Sequence, residues 1–142
     1  MKTKTIIGLE IHVELSTETK MFCSCKNEFG AVPNTNVCPI CLGHPGTLPL
    51  MNKAAVEYAV MAGLAFNCKI RNNQKVDRKK YFYPDLVKGY QLTQFDKPYA
   101  YEGYLKLNSG KHINIREIHM EEDTGKSNHN DCLLYTSDAA DE

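Results

Sequence analysis

The sequence predicts an α+β domain with a largely antiparallel sheet. Three observations carry this. One early stretch has helical apolar spacing, and a later succession of short strand-like runs is cut by Gly and Pro. Two close cysteine pairs sit in an otherwise irregular segment. At 142 residues, 42% hydrophobic and 24% charged, the chain can bury one core.

Ile6 to Leu15 comes first. Ile7, Leu9, Ile11, Val13 and Leu15 share one parity, and Gly8, Glu10, His12 and Glu14 share the other. This alternation predicts a half-buried strand. Residues 16–50 follow, rich in Pro, Gly and Asn, and need a staple of their own. Asn52 to Phe66 predicts a helix: Asn52 is the N-cap, Val56, Ala59, Val60, Gly63 and Leu64 form the apolar stripe, and Asn67 is the stop. Strands are then predicted over Gln74–Tyr83, Tyr90–Phe95, Tyr104–Leu107 and His112–Met120, with Asn108-Ser-Gly110 as a hairpin turn between the last two.

The staple is read from Cys23-Ser-Cys25 and Cys38-Pro-Ile-Cys41, separated by twelve residues. Two close thiol pairs joined by a short loop suit a tetrahedral zinc ion. Four thiolates close its shell and leave no position for substrate, so the expected role is structural. Pro39 and Gly43 suit the tight bends around a metal. Two disulfides and four free thiols are the alternatives, and His44 is a substitute fourth ligand.

Bulk properties exclude several classes. Formal net charge is zero, so charge does not mark a nucleic-acid binder. No apolar run approaches membrane-spanning length, and the Met-Lys-Thr-Lys-Thr start lacks a secretory hydrophobic region. A cytoplasmic, reducing location without a membrane partner is expected. The last eleven residues, Cys132 to Glu142, carry three acids and no base. They read as a non-native, adapter-derived tail of 132–142 behind a truncated domain of 1–131, with a genuine acidic tail as the alternative.

Three clusters carry chemistry. Glu10 and His12, two apart on one strand face, lie about 7 Å apart at their backbones. They can share a metal or a phosphate-bearing ligand, or simply face solvent. His119-Met-Glu121-Glu122-Asp123-Thr-Gly125-Lys126-Ser127 gathers three consecutive acids. Such acids repel one another unless a cation sits among them, and hard oxygens suit magnesium; a solvated turn is the alternative. Gly125-Lys126-Ser127 is not a Walker A loop, because Met120 stands where that motif needs glycine. Asp77-Arg78-Lys79-Lys80-Tyr81-Phe82-Tyr83-Pro84-Asp85, followed by Lys88-Gly89-Tyr90-Gln91, interleaves basic and aromatic residues. That pattern suits phosphate neutralisation and base stacking, or an amphipathic strand with a basic outer face.

At these residues the chain resembles the N-terminal part of the aspartyl/glutamyl-tRNA(Asn/Gln) amidotransferase B-subunit family. The segments that carry the resemblance are Ile7–Leu15, Asp77–Asp85, Lys88–Asp96 and His119–Ser127. Val87 stands where many relatives have proline, and the four cysteines match only the members that carry zinc. The resemblance implies a glutamine-synthetase-like cradle. It implies ATP- and magnesium-dependent phosphorylation of the side-chain carboxylate on a misacylated tRNA, followed by attack of ammonia. The amidase (A) subunit and a small C subunit are the implied partners. Glu10, His12 and Glu122 are then the expected magnesium-organising residues, with Glu122 preferred to Glu121 by the match and not by strand parity. Arg78, Lys79 and Lys126 are expected at ATP phosphates or the tRNA end, and Cys23, Cys25, Cys38 and Cys41 at structural zinc. A non-enzymatic zinc module that binds RNA or protein is the competing reading. A third is that the fragment is inactive by itself.

Overall fold

The fold is that of a computed structural model, in which residues 3–125 and the strand pairings of 127–130 and 133–136 are described. It is α+β with antiparallel pairing throughout. The order is helix α1 (Lys53–Ala65) and strands β1 (Lys69–Ile70), β2 (Asp77–Lys80), β3 (Tyr90–Thr93), β4 (Ala100–Lys106), β5 (His112–Ile118), β6 (Ser127–Asn130) and β7 (Leu133–Thr136). They form a three-stranded sheet β1-β4-β5 and two separate pairs, β2-β3 and β6-β7.

The helix begins and ends where its chemistry says it should. Asn52 is the N-cap, and its side-chain oxygen accepts from the Ala54 N–H. At the other end Asn67 takes a left-handed φ of 55°. Cys68 N donates to Gly63 O at 2.9 Å and Asn67 N to Leu64 O at 3.0 Å, a Schellman closure. The buried face is Ala55, Ala59 and Gly63, smaller than the predicted stripe, with Leu64 exposed. Small residues let the helix lie close to the sheet. A Cβ at Gly63 would stand 2.7 Å from Ile70 Cδ1.

β4 and β5 form the longest ladder, from Ala100 opposite Ile118 to Lys106 opposite His112. The predicted turn closes it: Gly110 has φ 81° and its N–H donates to Leu107 O. β4 starts at Ala100, earlier than the expected Tyr104, because Gly103 does not break it. Gly103 is instead the place where the strand approaches the chain after the helix. A Cβ there would lie 2.2 Å from Cys68 Sγ and 2.7 Å from Phe66 O. The core cluster is Ala59, Cys68, Tyr99, Ala100 and Met120, with Met21, Val56, Ile70, Ile115 and Ile118 packed on it.

The predicted first strand does not form. Residues 6–15 make no ladder, and Ile6, Ile7, Leu9, Ile11 and Val13 are 75–83% exposed. Alternation marks a segment able to be a strand, but a strand also needs a neighbouring edge to bond. No described residue supplies one here. β2 is shorter than the predicted Gln74–Tyr83, and the β6-β7 pair has no counterpart in the sequence reading. Among the described residues no helix is long and apolar enough to cross a membrane.

Candidate functional site

Two centres emerge. The first is the cysteine knuckle. An isolated bridge between Thr19 and Lys26, with Lys20 N donating to Cys25 O at 3.0 Å, turns the chain so that Cys23 and Cys25 face inward. A second tight turn carries Cys38 and Cys41, closed by Leu42 N to Cys38 O at 3.1 Å and Gly43 N to Ile40 O at 3.0 Å. Gly43 has φ 67°, and a Cβ on it would meet Lys88 Cβ at 2.5 Å. Only glycine satisfies both the conformation and the approach.

All four sulfurs lie within 4.8 Å of one another, so Cys23, Cys25, Cys38 and Cys41 can hold one metal ion. The Cys41 sulfur is 3.2 Å from Cys23, 3.6 Å from Cys38 and 3.7 Å from Cys25. A tetrahedral thiolate shell at a metal–sulfur distance of about 2.3 Å puts sulfurs about 3.8 Å apart, so the donor set fits. No disulfide joins the described cysteines. A hydrogen bond from Cys23, assisted by the Lys20 ammonium, pulls the Cys41 thiol down to about 4. The same bond, with burial, pushes Cys23 up, and burial with bonds to Cys38 and Cys41 raises Cys25 to about 11. The other three sulfurs thus converge within hydrogen-bond reach of Cys41, and a bound cation would displace their protons. His44 lies outside the set.

The second centre surrounds the acids after β5. Glu122 is drawn onto β3: its N–H donates to Leu92 O at 2.9 Å, and its Oε2 accepts from Leu92 N at 3.2 Å. Gln91 Nε2 donates to the Glu122 carbonyl at 2.6 Å. Glu122 Oε1 pairs with the Lys88 ammonium, whose side chain is 3% exposed. Burial favours that pairing, because an ammonium removed from water needs a counter-charge. Lys88 also lies 5.3 Å from the Tyr90 ring centre, over which the Arg78 guanidinium stacks at 4.6 Å.

Glu121 takes the other direction. Its Oε1 is 3.5 Å from His12 Nδ1 and its Oε2 is 3.4 Å from His119 Nε2, with Thr93 Oγ1 donating at 3.3 Å. One carboxylate therefore lies between two imidazoles. Those contacts become charge-assisted when the rings are protonated. Buried Gln94 holds the base of this arrangement. Its Oε1 accepts from Met120 N at 3.1 Å and Tyr99 N at 3.2 Å.

The predicted site residues are thus partly gathered. His12 meets Glu121, and Glu122 meets Lys88. Glu10 is exposed and makes no hydrogen bond or ion pair with the described residues. Arg78 and Lys79 lie on β2, opposite Leu92 and Gln91. Lys126 falls outside the described residues. Sequence reasoning missed Gln94 and Lys20. Neither has a local signal, since each acts on groups distant along the chain.

Known proteins resemble this chain along nearly its whole length. A family model described as the GatB/GatE catalytic domain matches residues 5–140. The B subunit of the aspartyl/glutamyl-tRNA(Asn/Gln) amidotransferase from Finegoldia magna is 69% identical over 134 residues, covering 92% of this chain and 28% of its own length. Proteins of the same name from Symbiobacterium thermophilum and Persephonella marina are 58% and 54% identical, covering 90% and 95% of the chain. The chain spans 27–29% of the length of these relatives. With the match running across nearly all of its residues, the chain belongs to the GatB/GatE catalytic domain family.

Proposed function

We propose that this chain is the N-terminal part of a subunit that amidates Glu-tRNA(Gln) or Asp-tRNA(Asn). It would work with an amidase (A) subunit and a small C subunit. The observation that carries the reading is the meeting of His12 with Glu121 beside the Lys88–Glu122 pair, from segments far apart in the chain. Family membership and the names of the relatives support it.

A carboxylate is a poor acyl donor because its leaving group would be an oxide. In the proposed reaction the tRNA-borne carboxylate oxygen attacks the γ-phosphorus of ATP and ADP departs. Ammonia nitrogen then attacks the acyl carbon, phosphate leaves, and the amide loses a proton. Phosphoryl transfer asks the protein for alignment and charge neutralisation more than for covalent help. Magnesium, when bound, would neutralise phosphate oxygens, and hard carboxylate donors suit it. Glu10, His12 and Glu122 organise that cation in this reading, with Glu121 as the acid His12 touches. Arg78, Lys79 and Lys126 hold ATP phosphates or the tRNA end. The surrounding sheet is proposed to be a glutamine-synthetase-like cradle. The four cysteines hold structural zinc, and the setting is proposed to be reducing and cytoplasmic. Residues 1–131 are proposed as the domain's own segment and 132–142 as adapter-derived, which the underlying nucleotide sequence near codon 132 tests.

The test uses a full-length relative in its complex. Glu10→Ala and His12→Ala should each abolish conversion of misacylated tRNA while tRNA binding persists. Unchanged conversion in both variants removes the catalytic assignment. A zinc content near one per chain, lost on treatment with a strong chelator, checks the knuckle separately.

A further inference from the structure

We propose that Lys20 is a positioning residue of the metal knuckle: its ammonium donates a hydrogen bond to the Cys41 sulfur and ties down the loop that delivers Cys38. The inference rests on the zinc reading of the four cysteines.

Lys20 Nζ lies 3.4 Å from Cys41 Sγ and also donates to the backbone carbonyl of Asn36. One cation thus contacts a metal-ligating sulfur and the backbone two residues before Cys38, the next ligand. The side chain is half-buried and its root is fixed. Lys20 N donates to Cys25 O at 3.0 Å, and Lys20 O accepts from Asn52 Nδ2 at 3.3 Å. Both halves of the knuckle are therefore held through one residue: Cys25 by its backbone, Cys38 and Cys41 by its side chain.

Electrostatics gives this contact its purpose. Four thiolates around a divalent ion leave two negative charges in a partly buried pocket. Among the described residues Lys20 is the one ammonium with a contact to any of the four sulfurs. Lys26, on the same hairpin, is engaged with Glu28 at 2.5 Å. A hydrogen bond to a thiolate draws charge from sulfur and so lowers mutual repulsion in the ligand set. Partners of this kind typically change metal affinity by about 10–100-fold. The same withdrawal makes Cys41 a weaker nucleophile, shielding it from alkylation.

The experiment uses a full-length relative that carries the four cysteines and Lys20, as wild type, Lys20→Met and Lys20→Arg, loaded with Zn(II) or Co(II). Lys20→Met should weaken zinc in chelator competition by about tenfold. It should shift the thiolate-to-cobalt charge-transfer band to lower energy while the tetrahedral ligand-field bands stay in place. Lys20→Arg, which keeps a donor, should restore both. Wild-type protein without tetrahedral four-sulfur cobalt bands overturns the zinc reading itself. Wild-type protein with those bands, and a Lys20→Met variant matching it in affinity and band position, overturns the role of Lys20 alone. Weakened affinity in both variants with an unmoved charge-transfer band also overturns it, since packing would then account for the loss.

Discussion

His12 Nδ1 lies 3.5 Å from Glu121 Oε1, although the two residues come from opposite ends of the described chain. The adjacent acid, Glu122, turns away to the buried Lys88. Consecutive carboxylates thus serve different partners, one poised towards imidazoles and the other neutralising an ammonium.

This division predicts a split phenotype. Glu122→Gln strands the Lys88 ammonium and should lower folding stability by about 3 kcal/mol. The double variant Glu122→Gln/Lys88→Met should recover part of that loss. Glu121→Gln should change stability by less than about 1 kcal/mol, because its contacts are half-exposed ion pairs. In a full-length relative it should still cut amidation about 10–100-fold. Chemical denaturation and turnover of misacylated tRNA read the two effects; equal destabilisation by both glutamines would defeat the division.

Asn52 joins the helix to the knuckle. Its Oδ1 caps Ala54 N, while Nδ2 donates to Thr19 O and Thr19 Oγ1, each at 2.9 Å. Asn52→Ala should cost about 2–3 kcal/mol, a cap plus partly buried bonds. Asn52→Asp keeps the cap acceptor and loses the donors. Hydrogen exchange should then stay slow in α1 and speed up at residues 19–25. Faster exchange in α1 with an unchanged knuckle would contradict this pairing of roles.

Gly103→Ala places a methyl against Cys68 Sγ and Phe66 O. Overpacking of this kind costs about 1–3 kcal/mol. Cys68→Ala in the same chain removes the closest atom and should recover part of it, leaving the Phe66 carbonyl clash. A melt in which the two changes are simply additive would show that the contact is not the cause.

Asp77 gives a pH signature. A hydrogen bond from Lys75, then one from Phe95 N, holds its carboxyl below the usual range. A carboxylate whose folded pKa is depressed contributes stability above its unfolded value, near pH 4, and loses it as pH falls through the folded value. Asp77→Asn should therefore melt below wild type at neutral pH and converge with it under strong acid. A difference that persists undiminished at low pH would rule out the charge as its source.

Local signals were legible where local chemistry decides. The Asn52 cap, the Asn67 stop, the Asn108-Ser-Gly110 turn and the thiol spacing each read correctly, because each depends on residues a few positions apart. The Ile6–Leu15 strand did not, since alternation cannot name the edge that will accept it. The strand expected from Tyr104 begins earlier, and Gly103 within it proved a close approach, which the distant Phe66 and Cys68 explain. The neighbouring acids were equally opaque: parity could not choose between Glu121 and Glu122, and the choice lies with Lys88, His12 and His119.

The apposition of Gly43 to Lys88 has a mechanical consequence. The turn that closes the sulfur cage is also the wall behind the lysine that neutralises Glu122. Oxidation of the cage would let that wall slacken, so damage at sulfur would be felt by carboxylates that contain none. Redox injury and lost acid–cation order would then surface together.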